Sequence, residues 1–384
     1  MTNKPLNVII IGAGTGGLCL AHGLKKAGIS VAVYERDRTR TGGLQGYRVG
    51  ISPDGSRALR KCLPPELFDV FVATCARAPK YFNMLTEQFS EVLSFEIADN
   101  DSDPVNSEKS VSRMTLRQVL LTGLEDIVHF DKKFTRYEQH PDGKVTAYFE
   151  DGTSATGDLL VGADGTNSPV RKQYLPHAAL ENSGLISIGG KLPITEETKK
   201  LLPPKVFHGI SMVMAPKAYS MIIHAMEFKW DRNGVKSGIG GNDAELIARW
   251  PGLLYDNTRD YIMWGFSTSH RLYPANPLQI KDGEALKQMV LNMTKGWHPH
   301  LRAMVAESDP STMFTVNIRT SVPIEPWQTS NVTLIGDAIH TMTPGRGVGA
   351  NTALRDAELL CRRLIEAAAE RSRSSQPCTS MRRR

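Results

Sequence analysis

A chain of 384 residues, 41% apolar and 22% charged, has core enough for one large domain or two intimate ones. Most of its net charge of +6 sits in the tail RSRSSQPCTSMRRR (371–384), which holds arginines and no acid, so the body is near neutral and no nucleic-acid partner is expected. The five cysteines form no CxxC pair and no metal-ligand spacing, which excludes a zinc module and predicts buried thiols in a reducing, cytoplasmic compartment.

The chain opens with NVIII (7–11), a continuous apolar run of the kind covered on both faces of a parallel sheet. Glycines interrupt the apolar stretch 8–21, so it predicts neither a signal peptide nor a membrane anchor. Leu18, Ala21 and Leu24 recur at helical spacing, Gly28 ends that helix, and SVAVYER (30–36) returns as a second strand. Parallel strands require such a crossover. Inside it, Gly12-x-Gly14-x-x-Gly17 follows the strand and opens the helix. Gly12 permits the turn, Gly14 lets backbone approach a pyrophosphate, and Gly17 lets helix and strand pack closely. Glu35 closes the second strand, where a carboxylate accepts hydrogen bonds from a ribose diol; an acid there favours FAD or NAD over a 2′-phosphate.

Residues 55–80 read as amphipathic helix punctuated by Pro64 and Pro65, 98–109 as an exposed acidic loop, and 112–124 as a helix. PDG (141–143) and EDG (150–152) mark hairpin turns, and DLLVGADG (158–165) is another apolar strand. From about 180 to 320 the pattern alternates, as in MIIHAMEFKW (221–230) and YIMWGFSTS (261–269), and predicts an antiparallel sheet. The α/β pattern returns at NVTLIGDA (331–338). A helix from Asn351 to about Ala369 then precedes the tail, whose low apolar content predicts disorder.

GADGTNSPVR (162–171) and GDAIHTMTPGRGVGAN (336–351), with the GxGxxG in front of them, carry a resemblance. In order and spacing the chain resembles the single-component FAD-dependent monooxygenase family, the flavin aromatic hydroxylases with the p-hydroxybenzoate hydroxylase fold, up to about residue 366. The resemblance implies an α/β fold: a Rossmann-like FAD-binding domain with an inserted antiparallel β-sheet substrate domain. The first would be discontinuous over 1–75, 110–178 and 320–370, the second would span 76–109 and 179–319, and 371–384 would be a disordered basic tail. It implies that Asp164 and Gly165 lie near the FAD pyrophosphate and that Asp337, after Gly336, binds ribityl or ribose hydroxyls. Pro344, Gly347, Gly349 and Asn351 would run beside the isoalloxazine ring, and Arg113, in Arg113-x-x-Leu116-x-x-x-Leu120, would sit over the cofactor. The first loop then takes the ADP half of one long molecule and the last loop its flavin half.

The implied activity uses NADPH or NADH and O2. Reduced flavin forms a C4a-hydroperoxide that hydroxylates, or else epoxidises, a hydrophobic aromatic or alkene small molecule of secondary metabolism. A flavin brings its own redox chemistry, so the protein positions it and excludes water. Backbone N–H groups and the helix start after Pro344 would stabilise negative charge on the reduced ring. Arg48, in LQGYRVGISP, stands where relatives bring a polar residue to flavin or substrate, and reads equally as a surface ion pair. His224 and Met226, or Trp264 and Phe266, are the strand residues expected to line the pocket, with plain core as the alternative. His340 reads as a local hydrogen-bonding group, and His298-Pro-His300 as surface loop. No Ser-His-Asp set, carboxylate pair or metal cluster is evident. Two other readings stay open: an FAD-dependent reductase or dehydrogenase, and a non-catalytic FAD-binding protein with a truncated C-terminus.

Overall fold

The computed structural model describes residues 6–40, 47–97, 103–228, 260–344 and 347–374, with backbone alone for 371–374. A five-stranded parallel sheet runs in the order Val332–Leu334, Leu159–Gly162, Asn7–Ile11, Ser30–Tyr34, Val128–His129. The continuous apolar run of its central strand is explained by burial on both faces. Val8 and Ile10 pack under the helices Thr15–Lys26 and Gly349–Ser374, while Ile9 and Ile11 pack under a three-stranded antiparallel meander. That meander (Phe134–Gln139, Val145–Phe149, Ser154–Gly157) turns at the two segments expected to be hairpins.

The helical reading of 55–80 resolves into Pro53–Cys62 and Pro65–Ala73, each opening with the proline that a first turn accepts, and the chain is extended again by Tyr81. The scattered cysteines converge in space. Cys19, Cys62 and Cys361 meet in one core where three helices cross, and a Cβ on Gly23 would lie 2.6 Å from the Cys361 sulfur. The last helix continues to Ser374, past the expected end near Ala369, because no glycine or proline stops it; Arg362 and Arg363 also pair with Glu366 on its surface. The remainder of the expected tail, 375–384, lies outside the described residues.

A seven-stranded sheet lies beside the parallel one, in the order Phe314–Ser321, Leu180–Pro193, Tyr261–Ser269, Tyr219–Met226, Gly209–Ala215, Tyr81–Thr86, Glu91–Glu96. All its junctions are antiparallel except Gly209–Ala215 with Tyr81–Thr86. One face packs against the helices Gly283–Met293 and Pro299–Ala306 through Leu286, Met289, Trp297 and Met304. Strand alternation sends Ile262, Trp264 and Phe266 into that layer and Tyr261 and Met263 to the opposite, inner face, with Met226 and Phe228. The pocket role expected of Trp264 and Phe266 is therefore corrected. Both are fully buried core, and the Trp264 indole donates to the Ser308 hydroxyl at 2.7 Å. A two-stranded ribbon, Arg48–Ile51 with Lys109–Ser112, bridges the two sheets; Ala76 pairs with both Ser110 and Phe228. Among the described residues no helix is long and apolar enough to cross a membrane.

Candidate functional site

The three glycines of the first loop do three different things. Gly12 has φ +106°, and a Cβ there would lie 2.5 Å from the Ala163 carbonyl oxygen. A Cβ on Gly17 would lie 2.3 Å from the Gly12 oxygen, so that position sets how closely helix and strand approach. At Gly14 the nearest atom is 3.9 Å away. That open side faces a cavity of about 470 Å³ lined by Gly12, Gly14, Glu35, Arg113, Asp164 and Gly165. Glu35 accepts hydrogen bonds from Ala13 N (2.7 Å) and Asp37 N (3.0 Å), which fixes its carboxylate at the cavity wall. Arg117 holds the same corner: it pairs with Asp37 at 2.9 Å and donates to the Ala13 carbonyl at 3.3 Å. Arg117 was missed from the sequence. It lies four residues after Arg113 on one helix, and that spacing places both on the same face.

The second and third motifs are tied to the first and to each other. Asp164 Oδ2 accepts from Val170 N at 3.3 Å, while Oδ1 is buried without a partner; burial pushes this carboxyl above its usual range. Gly165 takes φ +77°. Arg171 donates to the Ala338 carbonyl at 2.7 Å and the Thr166 carbonyl at 2.9 Å, locking one motif to the other. Gly336 takes φ +59° and lies under Ala353, the residue that also packs on Gly16 of the first loop. Asp337 is exposed, yet surrounding atoms desolvate its carboxyl and raise its pKa despite His340 and Arg113. Among the described residues no hydrogen-bond donor to that carboxylate is found. Gly347, at φ +62°, closes a turn onto the Pro344 carbonyl at 2.9 Å, and Gly349 opens the long helix.

Asn351 braces the loop. Its Oδ1 accepts from Ser52 N at 2.9 Å, and its Nδ2 donates to the carbonyls of Gly50 (2.9 Å) and Gly347 (3.1 Å). Both amide protons and one of the two oxygen lone pairs thus join the glycine loop to the Arg48 ribbon. His340 behaves as a local hydrogen-bonding group, 2.5 Å from Asp356 Oδ2, which also accepts from Gly336 N. Burial opposes protonation of His340, but the hydrogen bond and charge of Asp356 outweigh it and raise the pKa above 6.5. The pair's contribution is complete below the unfolded value and is lost as pH climbs through the folded one. Asp356→Asn should therefore cost about 1 kcal/mol below pH 6.5, the value for a partly exposed pair. The gap in melting temperature from wild type should narrow as pH rises; a gap constant from pH 5 to 9 would contradict this.

On the inner face of the large sheet the ribbon brings Arg48 over Met263, with its backbone N–H 3.2 Å from the sulfur, and its side chain donates to Ser110 Oγ at 3.1 Å. Burial lowers the Arg48 pKa to about 10, opposed by Glu108. His224 and Met226 are on this face, fully buried. His224 Nδ1 donates to the Gly209 carbonyl at 3.0 Å, so Nε2 is a bare acceptor, and it has no partner; burial and Arg48 depress its pKa to about 3. Arg113 lies over the Tyr47 ring at 5.6 Å.

The polar atoms left open in this arrangement suit FAD. The bare backbone at Gly14 and the N-terminus of helix Thr15–Lys26 suit a pyrophosphate, the Glu35 carboxylate a ribose diol, and the Asp337 carboxylate the hydroxyls of a polyol chain. Family models match twice: an FAD binding domain over residues 264–376 and an NAD(P)-binding Rossmann-like domain over 10–61. The dual O-methyltransferase/FAD-dependent monooxygenase elcB of Phaeosphaeria nodorum is 32% identical, over 92% of this chain and 39% of its own length. The FAD-dependent monooxygenase dbaB of Emericella nidulans is 30% identical, over 95% of this chain and 88% of its own. A crystal structure of a putative FAD-containing monooxygenase from Photorhabdus luminescens superposes with a TM-score of 0.79 at 32% identity, covering 95% of this chain and 90% of that one. The chain spans 39% to 50% of the length of the first curated relatives it matches. Cradles drawn from three remote stretches of sequence, and a curated relative 30% identical that the match covers over 88% of its length, lead to one statement: this chain belongs to the FAD-dependent monooxygenases.

Proposed function

We propose that this chain uses NADPH or NADH and O2 to insert one oxygen atom into a hydrophobic aromatic or alkene small molecule, by hydroxylation in the first instance and epoxidation in the second. FAD supplies two-electron transfer from the nicotinamide and the activation of O2. The observation that carries the reading is continuity between cavity and sheet. Met114 lines the dinucleotide cavity, and its sulfur is 4.0 Å from Lys191 on the inner face of the seven-stranded sheet. A flavin held by the Gly336–Gly349 segment would then meet a substrate lying on that face.

In this reading Gly12, Gly14, Gly17 and Glu35 hold the ADP half, Asp164 and Gly165 flank the pyrophosphate, and Gly336, Asp337, Pro344, Gly347 and Gly349 hold the flavin half. Arg113 and Arg48 cover the ring, and His224 and Met226 form the far wall. The FAD-binding domain is assigned to 1–75, 110–178 and 320–370, and the substrate domain to 76–109 and 179–319. The chain's own task is to exclude water from the reacting face, which Tyr47, Phe314, Met226 and Met263 serve by packing there.

The test is anaerobic flavin reduction by NADH and NADPH, followed by turnover under 18O2 with a panel of fused-ring phenols and alkenes. One 18O atom in the product is expected. Reduction and re-oxidation that yield hydrogen peroxide alone across the panel would favour a reductase or dehydrogenase. Bound flavin that neither nicotinamide reduces would favour a non-catalytic FAD-binding protein.

A further inference from the structure

The inner face of the seven-stranded sheet holds a cation that the cofactor cradles do not use. Lys191 is in register with Met263, and Met263 with His224, so all three share one row of that face. The Lys191 ammonium lies 4.4 Å from the centre of the Tyr261 ring and 4.0 Å from the Met114 sulfur. Among the described residues no carboxylate pairs with it. Burial lowers its pKa to about 8, and no neighbouring charge contributes to the shift. A half-buried ammonium over an aromatic ring retains part of its attraction through the ring, but its remaining protons need acceptors. Two other polar groups on this face are orphaned and more than nine-tenths buried: His224 Nε2 and Tyr261 Oη. An ammonium held only by a thioether and a ring face, on the same row as an unpartnered buried imidazole nitrogen and next to the dinucleotide cavity, marks the place of a polar ligand head.

The same face turns apolar away from Lys191. Ile222, Met212, Met84 and Leu93 follow one another across four strands in register, and Phe82 stacks on Phe95 with centroids 5.3 Å apart in the adjoining row. Leu93 and Phe95 are 49% and 51% exposed, so the strip runs from the buried head to open solvent. Strand spacing makes it about 14 Å long, the length of a fused three-ring system with a substituent. Gly265 lies between Ile222 and Ser187, whose side chains close over it: a Cβ there would lie 3.3 Å from Ile222 Cγ2 and 3.5 Å from Ser187 Oγ.

We propose that Lys191 anchors an anionic oxygen of the substrate, an ionised phenol, enol or carboxylate, while the substrate's apolar body lies along the Met- and Phe-bearing strip. Lys191 is then a specificity-determining residue, and the preferred substrates are elongated and acidic at one end. This rests on the monooxygenase reading for the identity of the site as a substrate site, but its test does not require turnover.

The experiment is calorimetric titration of the oxidised FAD-loaded protein with 2-naphthoate and, separately, with methyl 2-naphthoate. Wild type should bind the anion about tenfold more tightly than the ester, the low end for a hydrogen bond between charged groups. Lys191→Gln should abolish the preference, and Lys191→Arg should retain most of it. The flavin spectrum reports in the same samples that each variant remains folded and loaded. Equal affinities in wild type, no binding of either probe, or a preference that survives Lys191→Gln would each overturn the proposal. If the monooxygenase reading fails instead, naphthoate selectivity persists while 18O incorporation is absent.

Discussion

Gly14→Val is expected to yield a folded protein that no longer holds FAD. The position has ordinary extended backbone, φ −85° and ψ −178°, which a β-branched residue adopts without strain. Its Cβ direction is open, with the nearest atom 3.9 Å away. The apoprotein should therefore melt within about 1 °C of wild type, as expected for a substitution that meets no neighbour. The same methyl groups occupy the space where a pyrophosphate must approach the backbone N–H groups opening helix Thr15–Lys26. Losing two charge-assisted hydrogen bonds costs about 3–6 kcal/mol, roughly a 10²- to 10⁴-fold weaker Kd. Gly12→Val is the control with the opposite signature. Positive φ and a carbonyl 2.5 Å from the new Cβ should damage the apoprotein itself. Fluorescence titration with FAD and apoprotein melting separate the two, and Gly14→Val protein that retains yellow colour after gel filtration would refute the placement of the pyrophosphate.

The contrast between these neighbouring glycines shows which parts of the molecule can be read from sequence. The cradles are local devices. Gly12, Gly165, Gly336 and Gly347 adopt positive φ, and the acids Glu35, Asp164 and Asp337 follow apolar strands at fixed offsets, so residue type and spacing nearly determine them. The inner face of the large sheet is different. A strand such as YIMWGFSTS is buried on both sides, so burial does not reveal which alternate set faces the cofactor. Trp264 and Phe266 face the helices while Tyr261 and Met263 face inward, and a one-residue shift in phase exchanges the two faces completely. Lys191 was hidden for the same reason: its significance depends on Met114, Tyr261 and His224, which are remote in sequence. Asn351 shows a third limit. Its motif position was legible, but the fact that Ser52, Gly50 and Gly347 engage its amide follows from three-dimensional closure alone.

The unliganded site also carries an electrostatic cost. Asp164 Oδ1 is buried without a partner, and the Asp337 carboxylate is desolvated with no donor to it among the described residues. Both carboxyls are pushed above their usual range by burial, so for each the native state binds protons more readily than the unfolded chain. By linkage, apoprotein stability falls as pH rises through the interval from the unfolded value, 3.8, to the raised one, and the deficit persists above it. In the proposed placement the ribityl or ribose hydroxyls of FAD would donate to Asp337, and holoprotein should recover that part of the deficit.

Asp337→Ala follows from this account, with opposite effects on fold and ligand. Removing a carboxylate whose charged form the surrounding atoms disfavour, and which no hydrogen-bond donor among the described residues supports, should leave the apoprotein's melting temperature at neutral pH unchanged or raised. FAD, deprived of a charged acceptor for its ribityl or ribose hydroxyls, should bind more weakly by about 1.5–3 kcal/mol, roughly 10- to 150-fold in Kd. In wild type, FAD release on acidification should accelerate as Asp337 protonates, and the variant should lack that component of the pH profile. Asp337→Asn keeps an acceptor oxygen without the charge and should fall between the two. The measurements are apoprotein melting with and without saturating FAD, and FAD titrations carried from neutral pH down through the carboxylate range that begins at 3.8. An Asp337→Ala apoprotein that melts well below wild type would mean that the carboxylate supports the fold. Unchanged FAD affinity would mean that the third cradle does not grip the cofactor, and the assignment of the Gly336–Gly349 segment to the flavin half would fall with it.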